Sequence, residues 1–161
     1  MKSIAAVVTT SAALLATASA AAPPLQGTVS EVYDGETVLV NPPSGAAFQV
    51  KLNGIDAPEI CQTWGTEAKA ALKEWVQDRQ VSILPAGRAD KASLSGTLML
   101  EGANINRRMV EEGHAWSVRT RWDQGPFMKQ ERMAKALNRG LFGQCGAQMP
   151  ADFRRTHKPC A

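Results

Sequence analysis

Two strong turn signals, Asp34-Gly35 and Pro42-Pro43-Ser44-Gly45, divide the first part of this chain into three short β-prone runs, Gly27 to Tyr33, Glu36 to Asn41 and Ala46 to Asn53. Runs joined by turns this tight fold back beside one another, so the segment reads as an antiparallel meander. In the third run Phe48, Val50 and Leu52 alternate with Gln49, Lys51 and Asn53. Strand side chains point to opposite faces in turn, which predicts Lys51 on the face away from the core, within reach of a surface site.

The period then changes. Between Gly65 and Gln77, Ala68, Ala71, Leu72, Trp75 and Val76 share one stripe while Lys69, Lys73 and Glu74 lie off it, the pattern of an amphipathic helix packed on a sheet. Val81 to Leu84 and Thr97 to Leu100 read as two further strands. Asn104 to Glu112 reads as a short helix stopped by Gly113. Pro126 to Asn138 reads as another, ending at Arg139-Gly140 with Met133, Ala134, Leu137 and Leu141 on its apolar side. Five strands and three helices in this order make a small α+β domain, for which a five-stranded Greek-key β-barrel is the economical closure. Periodicity alone leaves an open sheet as an alternative.

Ahead of the meander, Lys2 gives a positive start, Ile4 to Leu15 an apolar run and Ala18-Ser19-Ala20 a small-residue cleavage site. Together they predict a secretory signal peptide over residues 1–21, too short and too interrupted by Ser and Thr for a stable membrane span. The expected products are a domain over residues 22–145 and a Gly/Pro/polar tail over residues 146–161. That protein would be periplasmic or secreted, monomeric, and not stably inserted in a membrane after cleavage. The formal net charge of +3 becomes +2 without Lys2, too near neutral to announce a nucleic-acid binder. Arginine is nonetheless concentrated late in the chain, from Arg107 and Arg108 to Arg154 and Arg155, which would suit a basic face or scattered solvated charges equally well.

All three cysteines, Cys61, Cys145 and Cys160, follow the leader, and export places them where disulfides persist. One bridge and one odd thiol is the simplest count. Cys145 and Cys160 bracket the tail, which shows no helical period, and closing it would steady an end that otherwise frays. This pair is favoured, with Cys61 to Cys145 as the competing pairing. Zinc ligation is disfavoured by the lack of a Cys-x-x-Cys and by the isolation of His114 and His157.

Three carboxylates, Glu36, Asp56 and Glu59, stand at turns between apolar runs, in Val32-Tyr33-Asp34-Gly35-Glu36-Thr37-Val38 and Ile55-Asp56-Ala57-Pro58-Glu59. Turns on a rigid scaffold are where a hard-cation site or a general base is mounted. On residue chemistry alone, Asp34 and Asp56 serve as well to cap turns, and Glu59 to pair with Lys51.

The wider pattern bears on that choice. It comprises the turn Asp34-Gly35-Glu36-Thr37, Lys51 three residues before Gly54-Ile55-Asp56, then Ala57-Pro58-Glu59 and the helix start Gly65-Thr66-Glu67-Ala68. The stretches Gly102 to Asn106, Val110-Glu111-Glu112-Gly113-His114-Ala115 and Arg139-Gly140-Leu141-Phe142 complete it. In order and spacing this resembles the staphylococcal (thermonuclease-like) nuclease family from Gly27 to Phe142. The resemblance implies an OB-fold barrel with three helices and cleavage of DNA and RNA phosphodiesters with one Ca²⁺. It places Glu36 and Asp56 on the metal-binding carboxylates, the Ala57 carbonyl on the carbonyl ligand, Glu59 on the general base and Lys51 on the phosphate-binding cation. Asp34 shapes the turn.

Departures from the family pattern fall on the chemistry. Glu36 stands where Asp is usual, one methylene longer. Lys51 replaces an arginine, keeping the charge but losing the bidentate fork. Near Asp90 the family supplies a second arginine, whereas this chain reads Asp90-Lys91-Ala92-Ser93-Leu94-Ser95. Losing a preorganised transition-state donor costs ~10²-fold or more in rate. Arg119 and Arg121 take the place of two substrate-facing tyrosines, beside Trp122, where a cation pair and an aromatic would hold a single-stranded nucleic acid. As ordinary structure, the same arginines would form a solvated edge, and Trp75 and Trp116 are expected in the core. The expected function is that of an exported, weak or modified Ca²⁺-dependent phosphodiesterase. The alternative is a catalytically degenerate OB-fold module binding nucleic acid, another polyanion or an envelope protein.

Overall fold

The computed structural model of the chain describes residues 24–88 and 93–160. The expected signal peptide and Asp90-Lys91 both lie outside the described residues. As the turn signals predict, β1 (Leu25–Val32), β2 (Thr37–Asn41) and β3 (Phe48–Leu52) pair antiparallel in sequence order. A two-residue strand, β4 (Ile55–Asp56), leads to helix α1 (Gly65–Val76), and then β5 (Gln80–Arg88) and β6 (Ser93–Leu100) pair antiparallel. Because β5 also runs antiparallel to β1, and β6 parallel to β3, strands β1, β2, β3, β6 and β5 close on themselves. The α+β, five-stranded OB-fold barrel is thus the observed architecture. Register shifts between Val29 and Glu31 and between Pro85 and Gly87 supply the extra coiling that closure demands.

Val29, Val38, Val40, Val50, Leu52, Ile83 and Leu98 fill the barrel and are fully buried, each side chain contributing about 1.5–3 kcal/mol. Helix α1 lays Ala68, Leu72 and Val76 on this core, with Ala71 and Trp75 half-buried at the stripe's edge. A further short strand, β7 (Ala103–Asn104), folds back antiparallel on the end of β6 and runs into α2 (Ile105–Glu111). In α2, buried Asn106 satisfies both ends of its amide. It accepts from the Leu98 N–H at 2.9 Å and donates to the carbonyls of Asn53 and Gly96 at 2.8 and 3.0 Å. One side chain so ties the end of β3 to β6, beside the strand that carries Lys51.

The last segments are β8 (Trp116–Ser117), α3 (Met128–Ala136), a 3₁₀ turn over Gly140–Gly143 and α4 (Pro150–Thr156). Strand β8 pairs with β4 and sets Trp116 opposite Asp56. Three sequence expectations are corrected here. Helix α3 buries Ala134, and Leu141 beyond it is also buried, but Met133 and Leu137 are 57% and 54% exposed. Its inward face is set by the buried carboxylate of Glu131 rather than by the apolar period.

The second correction is α4, which makes four α-helices among the described residues where three were expected. This helix has Pro150 in its first turn, Asp152 also in that turn and Arg154 and Arg155 in its last, an arrangement suited to the helix dipole that no apolar period reveals. Third, the bridge is Cys61–Cys160, with Cα atoms 5.6 Å apart, while Cys145 is free and exposed. Neither the favoured Cys145–Cys160 pair nor the competing Cys61–Cys145 pair forms. The tail does not close on itself, because α4 carries its end back to the loop between β4 and α1.

Candidate active site

The turn after β1 is built to press against that same loop. Asp34 Oδ1 accepts from the Glu36 N–H at 2.8 Å, an Asx turn, and the Leu52 N–H of β3 donates to the Glu36 carbonyl at 2.8 Å. A Cβ at Gly35 would lie 2.8 Å from that of Ala57 and 2.9 Å from that of Ala68. Only glycine lets the turn approach so closely, and the approach brings Glu36 beside Asp56. Glu59 is fixed from below. Its N–H donates to Gln62 Oε1 at 3.2 Å, its carbonyl accepts from the Gln62 N–H at 2.8 Å, and a Cβ at Gly65 would fall 1.9 Å from that carbonyl. The start of α1 therefore packs directly on the Glu59 backbone.

Glu36 is buried. Its Oε1 pairs with Lys51 Nζ at 3.0 Å, and its Oε2 is buried with no hydrogen-bond partner among the described residues. Burial pushes its carboxyl up to about 7; Lys51 opposes this, while Asp56 and Asp34 add to it. For half-exposed Lys51, burial disfavours the charged amine, but the Glu36 charge and hydrogen bond outweigh it and the proton is held more firmly than usual.

Sequence reasoning missed a residue that the fold delivers to this cluster. Arg154, from α4, places Nη1 3.0 Å from Asp56 Oδ1 and Nη2 3.1 Å from Asp56 Oδ2, and Nη1 also donates to Glu59 Oε1 at 2.8 Å. These bonds, to Asp56 first and then to Glu59, hold its proton beyond arginine's usual range. Two pins flank α4, and both are on the loop that carries Glu59. Gln62 Nε2 donates to the Gln148 carbonyl at 2.7 Å, and Cys61 is bonded to Cys160. The proline-headed run Pro150-Ala151-Asp152, with paired arginines behind it, was the available sign of this helix.

Two openings flank the carboxylates. Tyr33, Asp34, Glu59, Phe153, Arg154 and Lys158 line a cavity of 360 Å³ under the tail. The other, of 350 Å³, lies beside Lys51, between Ser95 and the segment containing Val118, Thr120 and Pro126. Glu36, Asp56, Glu59 and Lys51 are therefore gathered in one place, whereas the predicted pair Arg119 and Arg121 diverges. Arg119 turns back on Glu131, which also accepts from the Ser117 N–H at 2.9 Å and from Lys135 at 2.6 Å. The Arg121 guanidinium lies 4.9 Å over the ring of Trp122, which is 86% exposed. Trp116 is buried, as expected for core, and Trp75 is covered by Arg108 at 3.9 Å.

Comparison with known proteins points the same way as this geometry. Residues 49–144 match the family described as staphylococcal nuclease homologue. The micrococcal nuclease of Shigella flexneri is 32% identical over 146 residues, covering 83% of this chain and 82% of that protein. An uncharacterized endonuclease of Haemophilus influenzae is 26% identical over 130 residues, 81% of this chain and 73% of that one. The probable staphylococcal-like nuclease CAN3 of Oryza sativa subsp. japonica is 32% identical over 112 residues, 69% of this chain. The chain spans only 29% to 35% of the length of CAN3 and its relatives CAN2 and CAN1.

Proposed function

This chain belongs to the staphylococcal nuclease family, and on that footing we propose that it is an exported Ca²⁺-dependent phosphodiesterase acting on single-stranded DNA or RNA. The observation that carries the reading is the buried Oε2 of Glu36, without a hydrogen-bond partner among the described residues, in a turn pressed against Ala57 and Ala68 and within the field of Asp56. A buried carboxylate oxygen without a donor costs about 1–3 kcal/mol or more, and a cation satisfies it. Glu36, Asp56 and the Ala57 carbonyl form a donor set of hard oxygens, which fits calcium. When bound, that ion would neutralise phosphate charge and polarise the P–O bonds.

The chain's own groups do the rest. Glu59, one-third exposed at the edge of the cavity under the tail, takes a proton from the attacking water. Lys51, half exposed on β3, donates to a phosphate oxygen from the opposite opening. Arg121 and Trp122 offer a charge and a ring to the strand, and Arg119 holds their segment through Glu131. Lysine's point charge lacks a bidentate fork, so turnover is slow. The disulfide suits an oxidising compartment, and among the described residues no helix is long and apolar enough to cross a membrane. We assign residues 22–145 to the nuclease domain and residues 146–161 to a tethered tail.

The test is hydrolysis of single-stranded DNA with Ca²⁺. Glu59→Gln is expected to lower the rate ~10²-fold or more, and an unchanged rate sinks the assignment.

One observation favours a second reading, the degenerate binding module. Among the described residues no group of three or more His, Cys, Asp or Glu gathers as a metal cage, and both Asp56 oxygens are already held by Arg154. That reading expects no heat of Ca²⁺ binding by calorimetry alongside salt-sensitive polyanion binding.

A further inference from the structure

We propose that Arg154 is a substrate-binding residue, a guanidinium that receives a phosphate of the strand at the edge of the carboxylate site, supplied by the tail and held in place by Cys61–Cys160. The proposal rests on the phosphodiester substrate put forward above. Asp34, Glu36, Asp56 and Glu59 put four carboxylates around the place a phosphate must approach, and Lys51, paired with Glu36, serves the other opening. On the Glu59 side, Arg154 supplies the positive charge that offsets them.

Its hydrogen bonds leave the required edge open. The end-on pair of donors, one from Nη1 and one from Nη2, takes both oxygens of Asp56, and the second Nη1–H goes to Glu59. Of the five N–H donors of a guanidinium, the Nε–H and the other Nη2–H have no partner among the described residues. These lie side by side on one edge, the fork that fits two oxygens of a phosphate. The side chain is 46% exposed and lines the 360 Å³ cavity with Lys158 and the rings of Tyr33 and Phe153. A phosphate on that edge lies across the guanidinium from Glu59, which takes the Nη1–H on the opposite side, and the cavity leaves room for the attached nucleoside. Because Asp56 and Glu59 hold the other donors, the guanidinium is oriented before substrate arrives, which lowers the entropy of binding.

The tail is built to keep it there. The Gln62–Gln148 hydrogen bond and the Cys61–Cys160 disulfide pin the chain on either side of α4 to the loop carrying Glu59. Arg155, the next residue, instead pairs with Asp152 of its own helix and is 77% exposed, so it serves as the control.

Binding is read first, without turnover. In Glu59→Gln protein, anisotropy of a labelled single-stranded oligonucleotide should show about tenfold weaker binding on adding Arg154→Ala, with the slope of log affinity against log salt reduced by about 0.7. Arg154→Lys should recover the salt slope but not the full affinity. In otherwise wild-type protein, Arg154→Ala should lower kcat/KM about tenfold, and added guanidinium ion should restore part of it. Cys61→Ser should move affinity and rate in the same direction, and Arg155→Ala should move neither. Unchanged binding and rate in Arg154→Ala overturn the proposal while leaving the role of Glu59 intact. A faster Arg154→Ala enzyme overturns it too, and makes the tail an obstruction. If wild-type protein fails to hydrolyse DNA yet binds it through Arg154, the hydrolytic reading falls and this one is supported.

Discussion

Arg154 grips both carboxylate oxygens of Asp56 at 3.0 and 3.1 Å from 98 positions further along the chain. The disulfide closes a loop of nearly the same span, since Cys61 and Cys160 are 99 residues apart. The tail is thereby joined to the middle of the site rather than hanging beyond the barrel.

The bridge therefore stabilises more than the tail. Closing so long a loop removes entropy from the unfolded chain, and Cys61→Ser should cost about 2–4 kcal/mol. Thermal unfolding with and without reductant measures it: wild-type protein should lose several degrees under reductant and Cys61→Ser none. Cys145→Ser, at an exposed free thiol, should behave as wild type. Equal midpoints for wild type in both conditions would refute this account.

The barrel was legible in the sequence because its signals are local. Asp34-Gly35 and the alternation around Lys51 are written in adjacent residues, and so are the turns that place Glu36, Asp56 and Glu59. Two things were not legible. Glu131 has the sequence appearance of a solvent-facing glutamate, and only tertiary contact with Arg119 and the Ser117 N–H draws it inward and turns Met133 and Leu137 out. Arg154 lies in a tail whose helix carries no apolar stripe, and its place in the site depends on a disulfide whose partner spacing alone could not decide.

Glu131 should be costly to neutralise despite looking like a surface residue. Burial alone would raise its carboxyl, but hydrogen bonds from Arg119, Lys135 and the Ser117 N–H outweigh this and hold it below the usual range. Its stabilising effect is therefore present above the unfolded-state value and lost as pH falls through the folded one. Glu131→Gln should cost about 2 kcal/mol at neutral pH, since the exposed cations recover hydration while the Ser117 N–H loses a charged acceptor. Urea melts at pH 7 and pH 3 test this, and the gap between variant and wild type should shrink at the lower pH.

Glu36 should do the reverse. Its folded value of about 7 exceeds the model-peptide 4.5, so between these values the native state binds the extra proton and stability falls as pH rises. The loss is on the order of 3 kcal/mol, complete above pH 7 and absent below about pH 4.5. Glutamine does not titrate, so Glu36→Gln should gain on wild type by that amount between pH 4.5 and pH 8. Millimolar Ca²⁺, which favours the ionised carboxylate, should close the gap at pH 8 in wild type alone. A gap independent of pH would rule out the buried titration, and one closed by pH but not by Ca²⁺ would count against the metal.

His114 should report on the start of α1. Its Nδ1 accepts from the Trp64 Nε1–H at 3.1 Å, and its ring lies against both Trp64 and Trp75. Burial pushes it below the usual 6.5; Glu112 opposes this and Arg108 reinforces it. The folded state thus binds fewer protons than the unfolded one, and stability held above pH 6.5 is lost as pH falls through the depressed folded value. Protonation also turns the Nδ1 acceptor into a donor facing another donor. Trp64 precedes α1 in a left-handed conformation, φ 73°, and its carbonyl accepts from the Ala68 N–H at 3.0 Å, so losing its side-chain anchor should fray the turn behind Glu59. Tryptophan fluorescence should titrate below pH 6.5 in wild type, and the stability difference from His114→Phe should change with it. In His114→Phe, which keeps a ring but cannot take up a proton, the fluorescence should be flat while the Glu36 contribution to stability remains, and a fluorescence titration that persists there would place its source elsewhere.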